Sequence, residues 1–99
     1  MKFVNFIYYV SDTQKVETIR PLHRAYAQGL RDQGKLVIAG PFRDGAGALM
    51  VYEAESQQDA EALAANDPFF KGGIWMKYEI HPWEIVGVNH ALMPEPSSK

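Results

Sequence analysis

The sequence predicts an α+β domain in which an antiparallel four-stranded sheet carries two helices on one face. Three observations lead to this fold class. Apolar runs with the length of strands occur four times, segments with helical periodicity occur twice, and a hairpin signal joins the second strand to the third. The length of 99 residues and the hydrophobic content of 46% suit one such domain.

The first strand is predicted at residues 2–10, which are mostly aromatic or branched, as in a central strand. Ser11 or Asp12 could cap a short helical turn after it. The main helix is predicted at residues 21–33. Proline costs no backbone hydrogen bond at the first helical position, which suits Pro21, and Gly34 suits the C-terminal end.

This helix has two distinct sides. Its inward face carries His23, Tyr26, Ala27 and Leu30, and the other side carries Arg24, Gln28, Arg31 and Asp32. His23 is therefore expected on the buried side, within the first turn of the predicted helix. A polar ring in such a place needs a partner.

The second and third strands, residues 35–40 and 48–54, flank the Asp44-Gly45 signal of a hairpin and should be antiparallel neighbours. A second helix follows its cap, Ser56, and is stopped by Pro68, with Asp67 at its end. The last strand, residues 73–83, alternates, and Pro82 suggests an edge or a strand end. One face of that strand carries Ile74, Met76, Tyr78 and Ile80, and the other carries Trp75, Lys77, Glu79 and His81.

The order strand, helix, strand, strand, helix, strand is that of the ferredoxin-like βαββαβ fold. Both helices cover one face of the sheet and leave the other apolar face open, so two copies could close sheet against sheet in a homodimer. A domain of this size also has a thin core, which favours self-association. We assign residues 1–85 to the domain and residues 86–99 to a C-terminal extension that is either mobile or holds a partner.

Composition and charge argue against several classes of function. The chain has no cysteine, which excludes disulfides and thiolate metal sites, and its three histidines lack metal-ligand spacing. A net charge of −2 with scattered basic residues argues against a nucleic-acid partner. No apolar stretch reaches the roughly 20 residues of a membrane span. We expect a cytoplasmic protein that uses no metal and no other cofactor.

Three residues carry the candidate chemistry: His23, Arg20 just before it, and Asp67. A histidine and a carboxylate from neighbouring helices can form a pair in which the carboxylate fixes the ring tautomer and increases its basicity, whereas the positive helix N-terminus would oppose a charged ring. The sequence leaves open which effect dominates. The structural alternative is that His23 bonds a carbonyl and Asp67 only caps a turn, and spacing alone favours that alternative.

Four short motifs in register resemble the YciI-like, or YCII-related, family. They are RPLH at residues 20–23, LVIAGPF at 36–42, DPFF at 67–70 and HPW at 81–83, and the resemblance covers residues 1–85. It implies a dimeric α/β barrel of ferredoxin-like subunits with a pocket in each subunit. It also implies an active-site pair at His23 and Asp67. The residues implied to border the pocket and bind substrate are Arg20, Gly40, Pro41 and Phe42.

The related superfamily includes muconolactone isomerases and cofactor-free monooxygenases, and one YciI-like member is a dehydrochlorinase of a chlorinated hydroxyquinol. The resemblance thus implies an isomerase or lyase that transfers a proton on a small aromatic or enol-bearing acid. His23 would be the base or acid, Asp67 its orienting partner and Arg20 the anion anchor. The alternative is a non-catalytic dimer that binds a small ligand or serves as an accessory domain. An oxygenase is a third possibility that rests on the superfamily alone.

Overall fold

The computed structural model describes residues 1–94. Its elements, in chain order, are β1 (Lys2–Tyr9), α1 (Thr13–Asp32), β2 (Leu36–Pro41), β3 (Gly47–Glu53), α2 (Gln57–Ala65), α3 (Pro68–Lys71), β4 (Trp75–Trp83) and a 3-10 turn at His90–Leu92. The strands have the order β2-β3-β1-β4, and all the pairings are antiparallel. The predicted ferredoxin-like α+β fold is therefore confirmed, with β2 and β3 as hairpin neighbours and β4 at an edge.

Alternation along β1 separates the two faces of the sheet. Phe3, Asn5 and Ile7 are buried on the helix side, whereas Phe6 and Tyr8 stay partly exposed on the other face. The core fills the space between the first face and the helices. Its other buried members include Ala27, Leu30, Met50, Tyr52, Ala60, Ala64 and Phe69. The side faced by the helices is thus closed, and the other side is open.

The first helix is longer than predicted. α1 begins at Thr13, because the carboxylate of Asp12 caps it by accepting a hydrogen bond from the Lys15 amide at 3.1 Å, and it continues through Pro21. The prediction that the main helix starts at Pro21 is therefore wrong. Proline is tolerated there because Pro21 and Glu17 are both exposed, so water can bond the Glu17 carbonyl that has lost its amide partner.

This longer helix changes the surroundings of His23. The residue lies in the middle of a 20-residue helix and not in its first turn. The influence of a helix dipole fades beyond the terminal turn. The expected opposition between the helix N-terminus and a charged His23 ring therefore does not arise.

The segment after α2 contains a helix that the sequence did not predict. α2 ends at Ala65, before Pro68, as predicted. Pro68 is, however, the first residue of a further short helix, α3. Asp67 is the N-cap of α3, and its carboxylate accepts a hydrogen bond from the Phe69 amide at 2.9 Å. Asp67 therefore begins a helix, and its predicted place at the end of α2 is corrected.

The alternation predicted for the last strand fails at its start. The register between β1 and β4 shifts opposite Tyr8 and Tyr9, which leaves Met76 as an additional residue. Ile74 and Trp75 are consequently both buried, whereas Met76 is 68% exposed. The prediction that Met76 shares a face with Ile74 is wrong because the bulge interrupts the period of two.

Beyond β4, residues 84–94 carry one 3-10 turn, and Val86 and Leu92 are exposed. Residues 95–99 of the predicted extension lie outside the described residues. None of the helices in the described part has the length and the apolar character that a membrane crossing requires. The boundary at residue 85 and the cytoplasmic location stay predictions.

Candidate active site

A cleft with a volume of about 440 Å³ lies between α1 and the edge of the sheet at β2. Small-molecule sites commonly have this size. One wall belongs to α1, the opposite wall to β2 and β3, and β1 and α3 contribute one residue each. The lining consists of Arg20, His23, Arg24, Ala27, Gln28, Arg31, Ala39, Gly40, Pro41, Ala48, Met50, Tyr9 and Phe69.

His23 and Asp67 meet at this cleft. Nδ1 of His23 lies 2.8 Å from Oδ1 of Asp67, and the two side chains are 15% and 1% exposed. Because a carboxylate oxygen accepts, Nδ1 donates the proton in this contact, and Nε2 of a neutral ring is left as an acceptor. Nε2 is not buried, and it has no hydrogen-bond partner within residues 1–94. It is therefore accessible to a molecule in the cleft.

Asp67 is held in place by the chain around it. Its Oδ1 accepts from both His23 and the amide of Phe69, so the cap of α3 and the histidine pair share one oxygen. Its Oδ2 is buried and has no hydrogen-bond partner in the part of the chain that the structure describes. A buried carboxylate that is only half satisfied lowers stability, and such groups are more common at functional sites than elsewhere.

Phe69 fixes the plane of the His23 ring. The two rings are stacked, with centroids 4.1 Å apart and an interplanar angle of 6°. Phe69 is itself buried, and Tyr9 packs edge-on against it at 5.4 Å. A stacked and buried partner restricts rotation of the imidazole, so Nδ1 stays directed at Asp67.

Two tyrosines near the pair remain protonated at neutral pH. Burial raises the pKa of the Tyr9 hydroxyl, the nearby Arg20 opposes this rise, and the charge of Asp67 adds to it. Burial and then Asp67 also raise the pKa of Tyr26, whose hydroxyl donates to the Leu63 carbonyl at 2.6 Å. Because Tyr9 lines the cleft, its hydroxyl can donate a hydrogen bond to a bound oxygen.

The structure brings most of the predicted site residues together. Those that line the cleft are Arg20, His23, Gly40 and Pro41. Asp67 lies directly behind His23. Phe42 is placed elsewhere, because its ring lies 5.8 Å from that of Phe6 on the open face of the sheet. The side chain after Pro41 is thus directed away from the cleft.

Sequence reasoning did not assign Arg24, Gln28 and Arg31 to the site. Periodicity places them on the outer side of the helix, and they are indeed exposed. They nevertheless line the cleft, because the flank of α1 that carries them faces β2. The signal was present in the sequence, since Arg20, Arg24 and Arg31 follow a spacing that puts all three on one stripe of a helix. The position of that stripe relative to β2 depends on tertiary packing.

Comparison with known sequences assigns the chain to a family. Residues 1–84 match the model of the YCII-related domain. The chain belongs to the YCII-related family. The proteins named YciI from Escherichia coli O6:H1 and from Shigella flexneri are each 32% identical to it, and each match covers 74% of this chain and 85% of theirs. The resemblance seen in the four short motifs is thereby confirmed.

Two solved structures resemble this YCII-related chain. The 5-chloro-2-hydroxyhydroquinone dehydrochlorinase from Burkholderia phenoliruptrix AC1100, solved in complex with 2,5-dihydroxybenzoquinone, has a TM-score of 0.76 and 24% identity over 85% of this chain and 94% of its own. The protein At3g17210 from Arabidopsis thaliana has a TM-score of 0.52 and 15% identity over 89% and 97% of the two chains. Likeness at these identities establishes the shared fold and not a shared activity.

Proposed function

We propose that this YCII-related protein is an enzyme that needs no cofactor and transfers a proton on a small aromatic or enol-bearing acid, as an isomerase or a lyase. The observation that carries the proposal is the 2.8 Å contact between His23 Nδ1 and Asp67 Oδ1 beside the cleft. Because this hydrogen bond keeps the ring proton on Nδ1, Nε2 is the nitrogen that can accept a proton from a substrate.

In the proposed reaction, Nε2 of His23 removes a proton from an acidic C–H or enol O–H group of the substrate. After loss of a C–H proton, the electron pair that remains moves onto the adjacent carbonyl oxygen to give an enolate, whereas loss of an enol O–H proton gives the enolate directly. Asp67 stabilises the imidazolium. Return of the proton to another carbon gives an isomer, whereas departure of a leaving group with its bonding pair gives an elimination product. The protonated hydroxyl of Tyr9 is the candidate donor to the enolate oxygen.

The composition of the cleft supports a small organic acid as the substrate. Ala39, Ala48 and Met50 offer an apolar wall to a flat carbon skeleton, and the arginines of α1 suit an anion. The dehydrochlorinase of the same fold is named for a chlorinated hydroxyhydroquinone, and its complex contains 2,5-dihydroxybenzoquinone. This likeness supports the proposed class of reaction.

Solvent exchange tests the proposal before a natural substrate is known. A panel of hydroxyquinones and enolisable keto acids is incubated with the protein in D2O, and NMR follows the loss of each C–H signal. We expect exchange with the wild type and a rate at least about 100-fold lower with His23→Gln. His90→Gln is the matched control, since His90 is exposed in the 3-10 turn. Undiminished exchange in His23→Gln, or no exchange of any compound, would contradict the proposal.

The second candidate is a non-catalytic protein that binds a small ligand and retains His23 and Asp67 for stability. The hydrogen bond from the Phe69 amide to Asp67 at 2.9 Å favours it, because this cap gives Asp67 a structural role whatever His23 does. The two candidates differ in what removal of the carboxylate affects most. In an enzyme it is turnover, and in a binding protein it is stability.

We also propose that the open face of the sheet binds a second copy of the chain. Phe6 and Tyr8, on the central strand β1, are 43% and 38% exposed, although large apolar residues at the centre of a sheet are normally covered. Ile38, on the edge strand β2, is 43% exposed on the same face. The register also puts Lys77 and Glu79 on this face, opposite Tyr8 and Phe6. An apolar centre flanked by charges of both signs can pair with itself across a two-fold axis.

A further inference from the structure

The charge of the cleft is opposite in sign to the charge of the chain. Three of the four arginines, Arg20, Arg24 and Arg31, line the cleft of a protein whose net charge is −2. Among the residues that the structure describes, no Asp or Glu belongs to the lining. The cleft therefore concentrates positive charge in a chain whose net charge is negative, and it favours anionic ligands.

Arg20, the predicted anion anchor, already has a partner. Its Nη1 lies 3.1 Å from Oε1 of Glu17, one turn earlier on α1. Arg24, one turn later, lines the same cleft and has no side-chain hydrogen bond or ion pair within the described range, residues 1–94. The uncompensated positive charge next to His23 therefore belongs to Arg24.

Arg31 provides a second positive charge at the far end of the cleft. Its Nη2 donates to the amide oxygen of Gln28 at 2.7 Å, and Gln28 donates in turn to Asp32 at 2.9 Å. The direct partner of Arg31 is thus neutral, and its remaining donors are available to a ligand. Arg24 and Arg31 lie on one face of α1, two turns and about 10 Å apart along the helix axis.

We propose that the cleft selects a small organic dianion, one acidic group of which binds Arg24 beside His23 while the other binds Arg31. This rests on the proposed function, because it names the class of substrate for the same site. Arginine suits the task better than lysine, since its planar fork binds a carboxylate through two parallel hydrogen bonds. The apolar wall at Ala48 and Met50 accommodates an unsaturated skeleton between the two acidic groups.

Terephthalate and benzoate test this selection, because they differ by one carboxylate on the same ring. Each is titrated into the protein while NMR follows the His23 ring and the arginine side-chain signals. We expect terephthalate to bind about tenfold more tightly than benzoate. Arg31→Gln should abolish this preference, and Arg24→Gln should weaken the binding of both compounds. Arg43→Gln is the matched control, because Arg43 is exposed in the β2–β3 hairpin and outside the cleft lining.

Equal affinity for the two compounds, no binding of either, or an equal loss in Arg43→Gln would overturn the proposal. His23→Gln separates this inference from the proposed function, since it should keep the preference for terephthalate and lose deuterium exchange. If His23→Gln keeps both, the catalytic role of His23 fails and the selection of dianions stands. If Arg31→Gln keeps the preference while exchange still depends on His23, the selection fails and the proposed function stands.

Discussion

At the scale of residues, one oxygen atom of Asp67 joins two roles that the sequence presented as alternatives. Oδ1 caps α3 through the Phe69 amide and also accepts from His23. The short helix, the aromatic ring that stacks on the imidazole and the His23 contact therefore depend on one another. The sequence places His23 on an inward face and makes Asp67, 44 positions away, its candidate partner. That one oxygen serves both the cap and the pair depends on tertiary structure.

Replacement of Asp67 distinguishes the cap from the charge. Asp67→Ala removes both hydrogen bonds and leaves a buried donor on His23, so we expect a loss of about 2–3 kcal/mol in the free energy of unfolding. Asp67→Asn keeps an oxygen that can cap α3 and accept from His23, and it removes a buried charge, so its loss should stay below about 1 kcal/mol. Urea denaturation measures both variants. A loss in Asp67→Asn as large as that in Asp67→Ala would favour the non-catalytic candidate.

At the scale of elements, the hairpin between β2 and β3 fixes the position of the cleft wall. Gly47 begins β3 beside β1, and a Cβ at this position would collide with the backbone oxygen of Ile7. Gly40, in β2, has open space where its Cβ would be. One glycine of the hairpin is thus required by strand pairing, and the other is not.

A pair of alanine substitutions tests this difference. We expect Gly47→Ala to lower the free energy of unfolding by more than about 3 kcal/mol, because the backbones of β1 and β3 must separate to admit a methyl group. Gly40→Ala should change it by less than about 0.5 kcal/mol. Thermal and urea unfolding of the two variants provide the measurement. Similar losses in both would mean that the close approach of Gly47 to β1 does not hold in solution.

Local patterns predicted the positions of the strands well, but they misplaced the start of α1 and missed the bulge in β4. The hairpin and the edge strand follow from turn chemistry and apolar runs, which are local properties. A proline at position 21 favours a helix start when the sequence is considered alone. The missing hydrogen bond is tolerable inside α1 because Pro21 is exposed, and this exposure is set by tertiary structure. The bulge at Met76 likewise depends on the pairing of β4 with β1. The cleft lining was found only in part, since the place of Arg24 and Arg31 depends on how α1 crosses β2.

At the scale of the whole molecule, the open face of the sheet predicts association. We expect the wild type to have twice the 11.2 kDa mass of the chain in light scattering, and Phe6→Glu to be monomeric because a charge at the centre of an apolar interface is not solvated. Leu22→Glu is the matched control, since Leu22 is 63% exposed on α1. A monomeric wild type, or a Phe6→Glu variant that remains dimeric, would rule out this face as the interface.

The central claim is that Asp67 holds the Nδ1 proton of His23 so that Nε2 can accept a proton in the cleft. Nitrogen-15 NMR of the neutral histidine rings at alkaline pH reads the tautomer of His23 directly, with the exposed His90 as the internal reference. The account predicts that His23 carries its proton on Nδ1, whereas a histidine free in water favours Nε2. A His23 ring protonated on Nε2 would contradict the account, because that nitrogen could not then act as the base.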